Sequence, residues 1–221
     1  MQKKEKFRTY ENVFDESTLR TLFKLSSKGY FEELESPISV GKEANVFSAK
    51  TKDKEKVVVK IYRVNSADFH KMYNYIAADP RFKGLMKKRR KIIYAWAQRE
   101  YSNLLLVREA EVAAPKPIAF SNNVLIMEYI GKKQPAPKLK NKKPKDIKKF
   151  YKEIEENMKK LEKKGLIHGD LSEYNILNDN DHPVFIDFSH GIKDNYPNAE
   201  ELKERDRRTI QNYARRNGIS I

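Results

Sequence analysis

The sequence has 221 residues, of which 39% are hydrophobic and 35% are charged. This apolar fraction is large enough to build a core and excludes a disordered chain, while the complete lack of cysteine excludes disulfides, thiolate metal sites and cysteine nucleophiles. The formal net charge of +15 favours a polyanionic partner such as RNA or DNA, without indicating which of the two.

The basic residues are concentrated between Lys132 and Lys164, where 14 lysines face only 5 acidic residues. This run is interpreted either as a binding surface or as a solvated face rich in lysine and glutamate, and the composition leaves both readings open. No stretch approaches the roughly 18 apolar residues of a membrane span, and the N-terminus lacks the apolar region of a signal peptide. We therefore expect a soluble, cytoplasmic protein with no membrane partner.

Residues 1–36 are expected to form an N-terminal helical extension. Phe14, Leu19, Leu22 and Leu25 recur near helical spacing, and Gly29 indicates where the helical pattern stops. Residues 37–131 and 132–221 are then predicted to form two lobes.

The first predicted lobe is rich in β-strands. The segments SPISVGKEANVFSAK and KEKVVVKIYRV indicate strands arranged around a turn that contains Gly41. A polar helix and a loop are predicted over residues 65–90, and a firmer helix from Lys91 to Glu109. The segment NNVLIMEYIG predicts a buried strand bounded by a turn and a glycine.

The second predicted lobe begins after GKKQPAPKLKNKKPK, a linker with three prolines. Apolar residues from Ile147 to Leu161 then follow helical spacing, and Gly165 is expected to end that helix. HPVFIDFSHG predicts a short buried strand, and residues 198–218 a basic helix.

The segment LIHGDLSEYNIL follows the predicted amphipathic helix and is unusually polar. Asp170 and Asn175 show the D-x-x-x-x-N spacing of a kinase catalytic loop, in which the acid accepts a hydroxyl proton and the amide binds a metal ion. Asp187, at the end of the next strand, supplies a carboxylate that can bridge metal and phosphates. Taken alone, the segment also fits a polar turn capped by Asp170 and Ser172. Because the other motifs occur in the order expected along the chain, the segment predicts phosphoryl transfer.

Lys60 and Glu100 are predicted to form the ion pair that positions the phosphates. Lys60 is expected on a strand directly after the glycine turn, and Glu100 follows Trp96 by four residues on one helix face. The alternative interpretations are that Lys60 is a lysine at the edge of the sheet and that Glu100 is a surface glutamate. Gly41 stands alone where ordinary kinases carry three glycines, so the phosphate loop is a weak pattern by itself. Its expected phosphate contacts are Ser39, Gly41, Lys42 and Glu43.

The strand LIMEYI is interpreted as the wall of an adenine site. Met127 would contact the base, and the backbone of Glu128 and Ile130 would supply a donor and an acceptor for its edge. The alternative interpretation is a core strand, and the segment would be one whether or not it contacts adenine. His168 is expected to hydrogen-bond within the catalytic loop and not to bind metal.

The motifs GKEANVF, VVVKIYR, WAQREYSNL, VLIMEYIG, HGDLSEYNIL and VFIDFSHG together resemble the RIO family of atypical serine protein kinases, from about residue 38 onward. The resemblance implies an α+β, two-lobed protein-kinase-like fold with a small β-rich N-lobe and a helical C-lobe. It also implies ATP with Mg²⁺ or Mn²⁺, autophosphorylation on serine, and a role in maturation of the small ribosomal subunit, with pre-ribosomal rRNA as a partner.

The same resemblance implies that Asp170 is the base and that Asn175 and Asp187 are the metal ligands. It also implies phosphate contacts from Ser39, Lys42 and Lys60. Glu100 would be the ion-pair partner of Lys60. In that family the metal-binding aspartate can also become phosphorylated during ATP turnover, and the resemblance implies that Asp187 would be that residue here. Glu173, in the same catalytic-loop motif, is added to the predicted nucleotide contacts.

Several features of this sequence bear on how closely it resembles the RIO family. Val40 and His190 stand where relatives often have threonine and glutamine. Only 34 residues follow Asp187 and no APE motif is present, so an ordinary activation segment and peptide-binding subdomains are not expected. About 37 residues precede the phosphate loop, too few for the winged helix of the second RIO subgroup, which favours the first subgroup.

Other functions remain open from the sequence. One is a Bud-type tRNA-modification kinase or an aminoglycoside-type phosphotransferase, since both carry an HGDL loop. Another is a catalytically silent, basic RNA-binding scaffold. The protein substrate is unknown, the balance of kinase and ATPase activity stays open, and Ser66 is only one candidate for autophosphorylation.

Overall fold

The computed structural model describes residues 14–64, 69–85 and 87–220. Ser66 and the first 13 residues of the predicted extension lie outside this part of the chain. The chain divides into two compact units, Met1–Tyr101 with Pro117–Tyr129 and Ser102–Lys116 with Ile130–Ile221. The division into residues 1–36, 37–131 and 132–221 stays a prediction.

The first unit contains a five-stranded antiparallel sheet. Its strands in chain order are β1 (Glu33–Val40), β2 (Ala44–Lys50), β3 (Lys56–Tyr62), β4 (Pro117–Ser121) and β5 (Val124–Glu128). Their spatial order is β1-β2-β3-β5-β4. The β-branched run of β3 suits a central strand that is covered on both faces.

Helices pack against this sheet because its strands alternate their side chains. Val57, Val59 and Ile61 of β3 join a core with α1 (Glu16–Ser27), whose Leu22 and Leu25 are buried. The next side chain along, Tyr62, joins a second core with α2 (Phe69–Ala77) and α3 (Arg89–Glu109). Since alternate residues share a face, Lys60 points to the same side as Tyr62.

The second unit is mainly helical. It contains α4 (Ile147–Lys163), α5 (Ala199–Arg216) and two small antiparallel sheets. One sheet pairs β6 (Leu166–Ile167) with β9 (Ile192–Lys193), and the other pairs β7 (Ile176–Asp179) with β8 (His182–Phe185). The apolar stripe of α4 is buried as its spacing predicts, and Gly165 follows the C-cap residue Lys164 with φ +69°.

Two details differ from the sequence expectations. Lys60 does not lie on the strand directly after the Gly41 turn, because β2 intervenes and Lys60 belongs to β3. The firm predicted helix begins at Arg89, two residues earlier than expected, and ends at Glu109 as expected. Within residues 14–64, 69–85 and 87–220, no helix combines the length and the apolar character needed to cross a bilayer.

Candidate active site

Lys60 and Glu100 form a buried ion pair in the first unit. Lys60 Nζ lies 2.9 Å from Glu100 Oε1, and the side chains are only 7% and 0% exposed. The strand alternation of β3 aims Lys60 at α3, and the spacing of four residues from the buried Trp96 turns Glu100 inward. The structure therefore brings together the two residues that the sequence paired.

Tyr62 is a third member of this cluster. Its hydroxyl donates a hydrogen bond to Glu100 Oε2, so both carboxylate oxygens of Glu100 are engaged. The Tyr62 carbonyl accepts a hydrogen bond of 2.8 Å from Asn123 Nδ2, which also donates to Thr18 Oγ1 of α1 at 2.9 Å. A buried polar network thus connects the N-terminal helix with the strand that carries Lys60.

The glycine turn connects β1 and β2, with Val40 paired to Asn45. The Gly41 N–H donates to the Ala44 carbonyl at 3.0 Å, and the Gly41 carbonyl accepts from Arg63 Nη1 at 3.4 Å. Ser39 is half-buried on β1 and Lys42 is exposed at the turn. The roles of Ser39, Gly41 and Lys42 as phosphate contacts stay predictions.

The residues expected to contact adenine follow one another along the chain. Met127 is half-buried on β5, opposite Val58 of β3, and Glu128 is exposed at the end of the strand. In the second unit, the Ile130 carbonyl accepts a hydrogen bond of 2.9 Å from Ala136 N–H. The turn thus uses the carbonyl of Ile130, and the roles of Met127, Glu128 and Ile130 as adenine contacts stay predictions.

Asp170 and Asn175 lie side by side in the catalytic loop of the second unit. Asn175 Nδ2 donates to the Asp170 carbonyl at 2.8 Å and to Asp170 Oδ2 at 3.1 Å. Asp170 is exposed, whereas Asn175 is half-buried. Because the amide nitrogen is committed to Asp170, a metal ion would be bound by the amide oxygen of Asn175, and this role stays a prediction.

Asp187 lies next to Asn175 across the β7–β8 hairpin. The Ile186 N–H donates to the Asn175 carbonyl at 3.0 Å and extends the ladder that pairs Ile176 with Phe185. Asp187 has the left-handed angles φ 64° and ψ 64°, and its Oδ1 accepts a hydrogen bond of 2.7 Å from Ser189 Oγ. Such a backbone is uncommon outside glycine, so this carboxylate is held in a specified direction.

Asp206 of α5 holds the catalytic loop in place through hydrogen bonds to its backbone. Its two carboxylate oxygens accept from Gly169 N–H at 2.7 Å and Leu171 N–H at 2.9 Å, and Arg205 donates to the Gly169 carbonyl. Gly169 has φ +77°, and a Cβ there would lie 2.6 Å from the His190 carbonyl oxygen. Only glycine fits this position, so the loop and the segment after Asp187 can pack closely.

Two further side chains join the loop to its neighbours. His168 Nε2 lies 3.0 Å from the Ile186 carbonyl, so the bond expected within the catalytic loop is instead made to the residue before Asp187. Asn103, on the C-terminal part of α3, donates to the carbonyls of Phe188 and Gly191, each at 2.8 Å. Glu173 is paired with Arg216 at 2.8 Å, and its nucleotide contact stays a prediction.

Four residues of this arrangement are not among those predicted from the sequence. Tyr62 and Ser189 each lie two residues beyond a predicted site residue, and for Tyr62 the period of two along a strand is a usable signal. Asn103 and Asp206 carry no such signal, because 85 and 37 residues separate them from Phe188 and Gly169, which they contact.

The oxygen donors fit a magnesium ion that keeps several waters. Within the described residues, no group of three or more histidine, aspartate or glutamate side chains is arranged to hold a metal. Asn175 and Asp187 instead offer one amide oxygen and one carboxylate on adjacent segments. Mg²⁺ in phosphate-transferring sites is typically held by one or two protein ligands together with substrate phosphates, and this donor set matches that pattern.

Replacing Asp206 with asparagine is expected to destabilise the protein by about 1–3 kcal/mol at neutral pH, because one of the two buried N–H groups loses its acceptor. Burial raises the pKa of Asp206, opposed by the charge of His168 and by the two N–H bonds. The pH-dependent part of the stability that this carboxyl contributes is therefore fully present below its unfolded pKa near 3.8 and is lost as pH rises through the folded pKa, while the hydrogen bonds to Gly169 and Leu171 still contribute at neutral pH.

The measurement is denaturant unfolding from acid to neutral pH. The stability difference between wild type and Asp206→Asn should be largest at the acid end and should shrink toward pH 7. Glu201→Gln, which removes an exposed carboxylate from the same helix, serves as the control. A difference that grows with rising pH would contradict the assignment.

Comparison with known proteins places this geometry in a family. Residues 45–221 match the RIO domain family. The chain is 45% identical over 217 residues to the RIO-type serine/threonine-protein kinase Rio1 of Methanocaldococcus jannaschii, and 39% identical over 215 residues to that of Haloferax volcanii. Each alignment covers 97% of this chain and 74% of the relative. The human serine/threonine-protein kinase RIO1 is 33% identical, with 96% of this chain and 39% of the human protein covered.

Solved structures show the same fold. The Rio2 kinase of Chaetomium thermophilum has a TM-score of 0.74 at 24% identity, and its ADP/Mg²⁺-phosphoaspartate complex has a TM-score of 0.72 at 22% identity. The matches cover 91% of this chain but 63% and 61% of the Rio2 chains, so this chain spans less than two thirds of their length. The predicted α+β, protein-kinase-like fold is confirmed.

The names of the matched relatives also confirm the predicted enzyme class and the first RIO subgroup. The family match spans residues 45–221 and includes Lys60, Glu100, Asp170, Asn175 and Asp187. The chain therefore belongs to the RIO domain family, among relatives named as Rio1-type serine/threonine-protein kinases.

Proposed function

We propose that this chain is an ATP- and metal-dependent serine kinase that autophosphorylates and also hydrolyses ATP. The observation that carries the proposal is the arrangement of Asp170, Asn175 and Asp187, in which one exposed carboxylate stands beside two oxygen donors suited to a metal ion. Phosphoryl transfer requires this combination, because charge on the phosphoryl group must be neutralised while another carboxylate orients the nucleophile.

In the proposed reaction, the carboxylate of Asp170 accepts the proton of a serine hydroxyl. The hydroxyl oxygen forms a bond to the γ-phosphorus of ATP as the bond to the β,γ-bridging oxygen breaks, and ADP leaves. Water in place of serine gives ATP hydrolysis. Lys60, held by Glu100 and Tyr62, binds phosphate oxygens, with Ser39, Gly41 and Lys42 as the further phosphate contacts.

Mg²⁺ or Mn²⁺, when bound, neutralises charge on the β- and γ-phosphates. Asn175 Oδ1 and the Asp187 carboxylate would hold it, with Ser189 and the left-handed backbone fixing the direction of Asp187. Asp187 is also our candidate for transient phosphorylation. The phosphoaspartate complex of the Rio2 kinase of the same fold supports this candidate.

We place the activity in the maturation of the small ribosomal subunit, in the cytoplasm. The RIO family membership supports this role, and the net charge of +15 suits a partner rich in RNA. The lack of cysteine suits a reducing compartment.

The test of the proposal is incubation with γ-labelled ATP in the presence of Mg²⁺, Mn²⁺ or a chelator, following labelled protein and released phosphate. Label on serine should survive acid, whereas an acyl phosphate on Asp187 should be released by hydroxylamine. Asp187→Asn should abolish the hydroxylamine-sensitive label and weaken the metal-dependent part of nucleotide affinity, measured by equilibrium binding with and without metal.

Asp179→Asn, which removes a carboxylate from β7, is the matched control and should behave as wild type. Absence of both label and phosphate release from the wild type, with nucleotide still bound, would overturn the proposal in favour of a catalytically silent scaffold. Rapid turnover with an aminoglycoside would favour a small-molecule phosphotransferase instead.

A further inference from the structure

The segment Gly131–Lys145, named here the lysine strap, is a strongly basic part of the second unit. It contains seven lysines and no acidic residue. Three prolines and a tight turn shape its backbone, in which Gly131 pairs with Pro135 and Gly131 has φ +130°. A Cβ at Gly131 would lie 2.4 Å from the Gln134 carbonyl oxygen, so glycine is required for this turn. The strap is therefore a folded element and not a loose basic tail.

The strap is hydrogen-bonded along the chain that follows Asp170. Lys140 N–H donates to the Glu173 carbonyl at 3.0 Å, and Leu139 N–H donates to the Ile176 carbonyl at 2.8 Å. In return, Asn178 N–H donates to the Pro137 carbonyl at 2.8 Å. These bonds alternate between the two segments as in a short ladder. The strap is therefore held against the catalytic loop and β7.

An open groove of about 420 Å³ lies between the strap and the β7–β8 turn. Lys132, Lys133, Lys142 and Lys143 line one side and are exposed. Asp179 and Asp181 are the acids of the other side, and the Asp181 carboxylate accepts a hydrogen bond of 3.0 Å from Lys145 N–H. The lysines outnumber these acids, so the groove favours an anionic ligand.

An exposed aromatic ring stands beside the strap. Tyr174 of the catalytic loop is 48% exposed, and Lys140 Nζ lies 4.1 Å from the centre of its ring and 2.9 Å from its hydroxyl oxygen. A lysine-lined path beside an exposed ring is the combination by which proteins bind single-stranded nucleic acid, since the lysines bind phosphates and the ring stacks on a base. An acidic peptide would use the lysines but would gain little from the ring.

We propose that the lysine strap is a binding surface for single-stranded RNA, with phosphates along Lys132, Lys133, Lys142 and Lys143 and a base stacked on Tyr174. The choice of RNA as the ligand rests on the proposed function, because an enzyme that acts on ribosomal particles comes into contact with RNA. Its chemistry is independent of phosphoryl transfer, so RNA binding can be measured without ATP or metal. The strap then places RNA directly beside the loop that carries Asp170.

The test is fluorescence anisotropy of the full chain with a labelled oligouridylate of about 12 nucleotides, within the usual range of site sizes. The four-lysine variant changes Lys132, Lys133, Lys142 and Lys143 to glutamine and leaves the backbone bonds of the strap in place. Single-stranded binding loses about 0.7 in the slope of log affinity against log salt per phosphate contact. The variant should therefore lose about 2 to 3 in slope and about 10²-fold in affinity near 100 mM salt.

The matched control removes the same charge elsewhere, by changing four exposed lysines of the first unit to glutamine: Lys24, Lys28, Lys52 and Lys88. It should lose much less affinity than the strap variant. Tyr174→Ser should weaken binding about 5- to 100-fold with little change in salt slope, and Tyr174→Phe should restore it.

Three outcomes would overturn the proposal. These are equal losses from the strap and control sets, tighter strap-dependent binding of labelled polyglutamate than of the oligouridylate, or tighter binding of an RNA duplex of the same length. The second outcome would assign the strap to an acidic protein partner. If ATP turnover fails while RNA binding behaves as described, only the proposed catalysis is wrong, so the two failures are distinguishable.

Discussion

Asp170→Asn is expected to lower ATP turnover and autophosphorylation by about 10²- to 10⁴-fold, the usual contribution of a positioned general base. Asparagine cannot accept the hydroxyl proton, but its amide oxygen can still accept the hydrogen bond from Asn175 Nδ2, and the bond to the backbone carbonyl of residue 170 is untouched. Because Asp170 is exposed, its replacement should leave folding intact. Nucleotide affinity in the presence of metal should also stay close to that of the wild type.

The measurement is single-turnover transfer from γ-labelled ATP, combined with equilibrium binding of nucleotide to each variant. Asp194→Asn removes an exposed carboxylate from the same unit and is the control. A variant that loses turnover and keeps nucleotide affinity would support Asp170 as the base. Full turnover by Asp170→Asn would remove this role, whatever the fate of the other site residues.

The second large effect concerns the buried pair of Lys60 and Glu100. Glu100→Leu is expected to lower the free energy of unfolding by about 3–5 kcal/mol, because the ammonium of Lys60 would stay buried without its carboxylate. The Tyr62 hydroxyl would lose its acceptor at the same time. Chemical denaturation followed by circular dichroism measures this loss.

The triple variant Lys60→Met, Glu100→Leu and Tyr62→Phe separates stability from activity. It replaces all three polar groups with apolar ones of similar volume, and such replacement of a buried ion pair is often neutral or stabilising. The triple variant should thus recover most of the stability lost by Glu100→Leu while its ATP turnover stays low. Recovery of turnover together with stability would show that the pair is structural and contacts no phosphate.

The main helices and strands, and the residues proposed for the site, follow from patterns in the sequence. Helical spacing located the buried stripe of α4, and the β-branched run VVVKIY located β3, because burial on one face leaves a period in the sequence. The spacing of Asp170 and Asn175 also indicated a catalytic loop. The two residues lie in one short segment, where local backbone geometry decides which side chains meet.

The distant residues that hold the catalytic loop are set by tertiary packing. Asp206 reaches the N–H groups of Gly169 and Leu171 because α5 packs behind the loop, and Asn103 reaches the segment after Asp187 from α3. The lysine run after residue 131 was equally ambiguous in sequence, since charge alone does not distinguish a solvated face from a binding surface. Its backbone bonds to residues 173–178 place it beside the catalytic loop. Contacts between residues far apart in the chain leave no period or spacing in the sequence, so they become visible only when the chain is folded.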